Sequence, residues 1–444
     1  MLWITMTHDE KVEKIIEQLR CRSGETIAFS KRSVRHVVPN HNDPRLKKHK
    51  IDMKALNEIL AIDREARTCT AESEVTFSDL VQATLPLGLI PMTVPELKTI
   101  TIGGAVSGSS VESMSYKYGG FHDNCLEYEV LSSDGRRIVC SDSERPDIFH
   151  MIHGSYGTLG ILTRLKFRLI EAKPCVRLEY RHFDSFPSFF ECLKERCQKD
   201  DYDFVDGIIH SPEHFVLCLV LMVDEAPYRS SYDWLNIFYR STGERNEDFL
   251  SIYDYFFRYD TECHWLTRSI PLLEFKPVRF LLGKFLLGST NLIRSANRLR
   301  YIMKPKHRPD VVVDVFIPAD NFEVFYQWYE QDFKFFPLWI VPYQMPQIYP
   351  WVSEAQAKLI GSENFVIDCA VYGKKNNDPQ IDYSELIQKK THELGGIKTL
   401  ISRNHYDPET FWKIYNKDRY DSIKAEMDPI DMFGDLYCKV HPPE

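Results

Sequence analysis

The feature that most constrains this chain is the stretch "TIGGAVSGSSVES" at residues 101–113. It holds three glycines and five hydroxyl residues in thirteen positions, and a single carboxylate, Glu112. Backbone this free of side chains can approach a diphosphate closely and adopt dihedrals that other residues avoid. The stretch matches neither G-x-G-x-x-G nor the P-loop pattern with its lysine. Gly103, Gly104 and Gly108 would present N–H groups to such a ligand, and Ser107, Ser109, Ser110 and Ser113 would add hydroxyls. The competing reading is a tight turn whose glycines serve conformation alone. A second cluster, Gly154, Gly157 and Gly160 in "HGSYGTLG" (153–160), favours a cofactor. Two glycine-rich loops in one folding unit can grip one long ligand.

The surrounding sequence reads as α+β. Thr7-x-x-Glu10 is a capping box opening a helix with Val12, Ile15, Ile16 and Leu19 on one face. "TIAFS" (26–30) and 67–75 read as strands, and Thr76-x-x-Asp79 opens a second helix that ends near Pro86 and Gly88. Asp134-Gly135 joins two strands within 126–140. A long strand follows, with Ile161, Leu165, Phe167 and Leu169 on one face and Arg164, Lys166 and Arg168 on the other. After Pro174, strands at 203–210, 215–223, 311–317 and 364–372 alternate with helices at 187–197, 319–330 and 382–394. This predicts a second α+β unit on an antiparallel sheet. The aromatic run 253–266 suits an apolar pocket or ordinary core packing.

Bulk properties narrow the function. At 444 residues the chain is long for one core, and its net charge of −9 argues against a nucleic-acid partner. Its eleven cysteines include no C-x-x-C pair, so neither a disulfide framework nor a metal site is expected. Met1–Thr7 shows no signal-peptide pattern. The longest apolar run, Phe215–Val223, is far short of the about 20 residues of a membrane helix. A cytoplasmic location is the expectation. Residues 275–309 stand apart, with nine Lys or Arg and no acidic residue around two "FLL" triplets. A basic amphipathic segment of this kind reads either as a peripheral membrane contact or as a solvated helix and cap loop.

The block "PELKTITIGGAVSGSSVESMSYKYGGFHDN" (95–124), with "EYEVLSSDGRRIVCS" and "GSYGTLGILTRLKFRLI" after it, resembles the FAD-binding domain of the vanillyl-alcohol-oxidase (PCMH-type) flavoproteins. Within that group it is most similar to the delta(24)-sterol reductases, or Diminuto-like proteins. The likeness continues through "DFVDGIIHS" (203–211), "FPLWIVPYQMP" (336–346) and "SRNHYDPETFWKIY" (402–415). It implies an FAD-binding PCMH-type domain at 1–173, a cap or substrate domain at 174–400, and a segment at 401–444 returning toward the FAD domain. The family's flavin loop falls on Thr101, Ile102, Gly103, Gly104, Ala105, Val106, Ser107, Gly108, Ser109, Ser110, Glu112 and Ser113. Gly119, Gly157, Gly160 and Ile161 match further positions along the cofactor, and Lys117 and Tyr118 lie in a segment expected near the flavin. Many relatives attach FAD through a histidine in a glycine-rich first loop. The matching stretch "FSKRSVRHVV" (29–38) has no glycine, so His36 is expected to be an ordinary histidine and FAD non-covalent. Animal and plant sterol reductases begin with a membrane anchor, and none is expected here.

The resemblance implies an FAD-dependent oxidoreductase that reduces a C=C bond of a sterol or other lipid-like substrate by hydride from flavin N5. NADPH or NADH is the candidate donor, docking transiently because the sequence has no Rossmann fingerprint. A general acid must protonate the second alkene carbon; the candidates are Tyr118, His122, His405 and Tyr406. The alternative is an oxidase or dehydrogenase of a polar alcohol such as a sugar, an aldonolactone or a 2-hydroxy acid. A lipid site should converge aromatics on the flavin face and a polar-substrate site charges. A third reading is a catalytically silent flavin-binding scaffold.

Overall fold

Two antiparallel sheets organise the computed structural model, which describes residues 6–22, 26–32, 48–269, 272–299 and 308–441. His36 and the basic positions Arg300, Lys304 and Lys306 lie outside the described residues. The smaller sheet runs Ile59–Asp63, Thr68–Glu72, Ile161–Glu171, Cys125–Leu131 and Arg137–Ser141 in spatial order. Leu89–Pro91 adds to the far end of the long strand. That strand buries Ile161, Leu165, Phe167 and Leu169 and turns Lys166 and Arg168 outward, as its alternation predicts. The Asp134-Gly135 turn joins a hairpin in which Leu131 faces Arg137. A separate parallel pair, Ile27–Ser30 with His49–Asp52, packs beside the sheet.

The predicted capping box forms at Thr7 and Glu10 and starts the helix His8–Arg20. His8 fixes this helix to the smaller sheet. Its Nδ1 lies 2.8 Å from Glu72 and its Nε2 2.9 Å from Glu129, while Lys11 reaches Glu72 at 2.9 Å. Burial works against the imidazolium, but the bonds to Glu129 and Glu72 outweigh it and raise His8 to about 9. A folded value above the unfolded ~6.5 means that this stabilisation is complete below about pH 6.5. It is then lost as pH rises through about 9. His8→Ala is expected to cost roughly 2 kcal/mol at neutral pH. The deficit against the parent should vanish in urea titrations carried above the raised value.

Among the described residues the larger sheet carries eight strands: Glu247–Ser251, Cys175–Phe183, His214–Val223, Phe204–Ser211, Leu338–Gln344, Phe365–Lys374, Val311–Pro318 and Ile397–Lys398. Every neighbouring pair is antiparallel. One face is covered by the helices Phe186–Lys199, Phe322–Trp328 and Tyr383–Glu393, which pack on Val205, Leu217, Val313, Ile340 and Cys369. The other face, with Phe204, Ile208, Cys218, Trp339 and Tyr372, shares a core with the smaller sheet. The fold is α+β with antiparallel sheets. The candidate site lies where the two meet.

Two expectations need correction. Residues 102–108 are not a loop but a short helix, Ile102–Gly108: Thr101 caps it by accepting the Gly104 N–H, and Ser109 ends it at φ 55°. Within the basic segment, Arg279 is not a surface cation. It is fully buried against Glu262 at 2.6 Å.

Candidate functional site

Residues 73–77 fix the start of the glycine segment. Ile102 N–H donates to Val75 O, Gly103 N–H to Ser73 O, and Phe77 N–H to Ile100 O. Gly103 is required for this approach, because a Cβ there would stand 2.8 Å from Ser73 Cβ and 2.9 Å from its carbonyl. Gly108 is different: no atom would lie within 4 Å of its Cβ, so this side of the helix faces open space. The N–H groups of Ile102, Gly103, Gly104 and Ala105 are all satisfied internally. A diphosphate here would therefore have to be met by the C-terminal half of the segment and its hydroxyls.

The two glycine clusters are one structure. Gly154 N–H donates to Val106 O and Tyr156 N–H to Ser107 O. The Ser73, Ser109 and Ser155 hydroxyls are buried without a hydrogen-bond partner along this seam. Gly157 lies on Phe29 of the parallel pair, 2.9 Å from its ring were a Cβ present. A cavity adjoins Gly154 and Ser155, walled by His153, Trp351, Trp412 and Tyr415. Open backbone at Gly108 and unpartnered hydroxyls at Ser109 and Ser155 are what a diphosphate ligand needs. The residues fit FAD.

Glu112 ends the segment beneath the larger sheet. Its Oε1 lies 2.9 Å from Arg258 Nη2, and the same nitrogen lies 3.1 Å from Asp206 Oδ2. Asp206 also accepts Trp339 Nε1–H at 2.8 Å. Ser113 donates to Glu112 and touches Tyr255 OH at 3.2 Å. The guanidinium is stacked over the rings of Tyr255 (4.2 Å) and Tyr259 (4.9 Å). All these groups are buried, with two carboxylates set against one cation. Burial pushes Glu112 up to about 7, against the pull of Arg258 and with Asp206 and Glu96 adding to the rise. This carboxyl can hold or release a proton near neutrality.

A second chain of groups adjoins the first. His264 Nε2 lies 2.7 Å from Glu96, and its ring stacks on Tyr372 at 4.0 Å. Tyr372 donates to Asp314. Asp314 and Asp368 come from adjacent strands of the larger sheet and have no cation paired with them among the described residues. Burial raises both, Asp368 further through its neighbour Asp314. Tyr259 OH, His264 Nδ1, Arg258 Nε and Asp368 Oδ1 are buried and lack partners. Four such atoms in one seam make it a candidate ligand site.

The residues predicted from sequence fall in different places. Glu112 and Ser113 sit at this junction. Gly119 (φ 76°) and Gly120 form a turn bound to Asp123, and Thr93 donates to Gly119 O at 2.9 Å. Tyr118 is half-buried next to Lys117, which is exposed and paired with Asp200 at 2.8 Å. His122 belongs to a separate buried cluster. Its Nε2 stands 3.4 Å from Tyr343 OH, and Asp123 accepts from both Tyr343 and Tyr349. Burial lowers His122 below the ordinary histidine value, against the pull of Asp123. His405 and Tyr406 contact the helix Tyr383–Glu393 through Ser384 and Gln388, and burial takes His405 down to about 4. Ile161 packs with Leu131 and Phe433 in the core below the second glycine cluster, and Gly160 beside it lies against Val130.

Arg258, Asp206, Asp314, Asp368, Glu96 and His264 were not singled out from the sequence. A signal existed: "FVDGIIH", "VVVDVFI" and "FVIDCAVY" each set one aspartate in the middle of an apolar strand. Such a carboxylate faces either water or a costly interior. Arg258 sits likewise within an aromatic run.

The chain matches an FAD binding domain family over residues 6–141. It is 24% identical over 417 residues to the delta(24)-sterol reductase of Homo sapiens, covering 89% of this chain and 78% of the relative. It is 24% identical over 478 residues to the delta(24)-sterol reductase of Arabidopsis thaliana, covering 97% and 84%. Cytokinin dehydrogenase 8 of Oryza sativa subsp. indica is 32% identical over 134 residues, covering 30% of this chain and 25% of that protein. Among the described residues no helix is long and apolar enough to cross a membrane. With a glycine seam that fits the cofactor, a matching domain and relatives along most of its length, the chain is an FAD-dependent oxidoreductase with a PCMH-type FAD-binding domain, similar to the delta(24)-sterol reductases.

Proposed function

We propose that this enzyme reduces a carbon–carbon double bond of a sterol or other lipid-like substrate. The observation that carries this reading is the reach of the likeness. Similarity to the sterol reductases runs through the larger sheet, whereas similarity to the cytokinin dehydrogenase stops at 30% of the chain. Bound FAD would supply hydride to one alkene carbon, with NADPH or NADH as donor. The protein must then provide a proton for the other carbon, from a group within hydrogen-bond reach. Glu112 is best suited, because it is buried, titrates near neutrality and has Arg258 at 2.9 Å to stabilise the carboxylate left behind. Tyr259, with its unpartnered hydroxyl over the same guanidinium, is the group that relays or orients that proton. Tyr255, Trp339 and Tyr372 supply apolar walls that keep water out.

Convergence of Arg258, Glu112, Asp206, Glu96 and His264 favours a second reading, an oxidase or dehydrogenase of a polar alcohol. Here those charges pair with one another and are enclosed by Tyr255, Tyr259, Trp339 and Tyr372, which favours the lipid reading. Stopped-flow spectroscopy separates the two. Flavin bleached anaerobically by NADPH or NADH is expected to reoxidise slowly in air and faster on mixing with an unsaturated sterol. Rapid turnover of a sugar, aldonolactone or 2-hydroxy acid with release of hydrogen peroxide would establish the second reading instead. The same preparation should be yellow and release its colour to the supernatant on acid precipitation, as non-covalent FAD does. Protein without a flavin spectrum overturns both.

A further inference from the structure

The helix Lys276–Leu286 is anchored by a cation turned inward. Arg279 points into the protein, where it meets Glu262 at 2.6 Å and donates through Nε to Trp234 O at 2.8 Å. Gly283, one turn later, rests on the Trp234 ring, 2.9 Å away were a Cβ present, and Trp234 Nε1–H donates to Arg279 O. On the opposite side Val278, Leu281, Leu282 and Phe285 recur at i, i+3, i+4 and i+7. This spacing normally marks a core-facing stripe, yet Phe285 is 77% exposed, Leu281 71% and Leu282 48%. Leu272 and Phe275, just before the helix, are exposed as well, and Phe280 stacks on Trp234 at 5.3 Å with much of its ring exposed. Scattered exposed apolar residues are ordinary; a contiguous patch on an anchored helix is an interaction surface.

Charge decides what covers it. Residues 275–309 carry nine Lys or Arg and no acid in a chain of net charge −9. Lys276 and Arg294 are exposed beside the patch. The acids close to the helix are already engaged, Glu262 by Arg279 and Glu274 by Tyr239 at 2.7 Å and by Arg240. A second copy of the chain would set this positive segment against itself. A bilayer with acidic headgroups accommodates both the cations and the apolar stripe. We propose that this face docks on anionic membranes, with Leu281, Leu282 and Phe285 entering the headgroup–acyl boundary while Lys276 and Arg294 stay at the phosphates. The proposal rests on the helix and its charge, and stands whatever the substrate.

The test is co-sedimentation of the full chain with phosphatidylcholine–phosphatidylserine vesicles and with pure phosphatidylcholine. The protein is expected to pellet with the mixed vesicles and to be released by salt. The double substitution Leu281→Glu/Phe285→Glu is expected to weaken binding about tenfold or more, and Lys276→Glu/Arg294→Glu to abolish the preference for acidic lipid. Both variants should keep the circular dichroism of the parent, since the substituted side chains face solvent. Failure of the parent protein to pellet with the mixed vesicles overturns the proposal, as does undiminished binding by Leu281→Glu/Phe285→Glu. A dimer in sedimentation velocity that this variant dissolves would assign the face to a second copy instead.

Discussion

Arg258→Met is expected to destabilise the protein by about 3–5 kcal/mol, the cost of removing one partner from a buried ion pair. Methionine fills similar space but leaves Glu112 and Asp206 facing each other in an apolar seam, both already 3% exposed or less. Adding Glu112→Gln should recover part of the loss, because it removes one of the two stranded charges; a double-mutant cycle in urea measures the coupling. The pH dependence has a definite sign. Glu112 titrates higher folded (about 7) than its ordinary value of 4.5, so the folded state binds the extra proton. Its contribution is complete below about pH 4.5 and is lost as pH rises through about 7. Glu112→Gln should flatten that part of the stability profile. It should also remove the alkaline limb of reductase activity, since the amide has no proton to give. An unchanged pH–rate profile in this variant would exclude Glu112 as the acid.

Gly103→Ala and Gly108→Val are expected to fail for opposite reasons. At Gly103 the new Cβ meets Ser73 backbone that a 2.9 Å hydrogen bond holds in place. Overpacking there should cost roughly 1–3 kcal/mol of stability, with or without flavin. At Gly108 the added side chain enters open space, so the flavin-free protein should unfold at the same urea concentration as the parent. Flavin retention should nevertheless fall roughly tenfold to a hundredfold, because the branch occupies the ligand's side of the seam. Equal flavin affinity in Gly108→Val, measured by fluorescence on dilution, would move the cofactor away from this segment.

These contrasts also mark what was legible in the sequence. The capping box at Thr7, the hairpin at Asp134-Gly135 and the alternation from Ile161 to Leu169 could be read because their causes are local. The order of the larger sheet could not. Its central contact pairs Ile208 with Trp339, and nothing within either strand names the other. The glycine clusters were legible as composition, but the Gly154–Val106 and Tyr156–Ser107 bonds that join them are long-range. Arg258 was hidden among aromatics that read equally well as core. It is distinguished only by Glu112 and Asp206, which come from two other parts of the chain.

The first and last parts of the chain share one seam. Ile27 N–H takes its partner from Met432 O, Phe433 packs with Phe29, and Lys424 donates to Thr158 O next to the second glycine cluster. The strand Ile27–Ser30 has its ladder partner close by in His49–Asp52, but its outer cover comes from residues 424–433, far along the chain. Without that cover Phe29, on which Gly157 rests, would lose its neighbour Phe433, and the glycine seam would stand open on one side. Free flavin can reach that side of the seam only while this cover is absent.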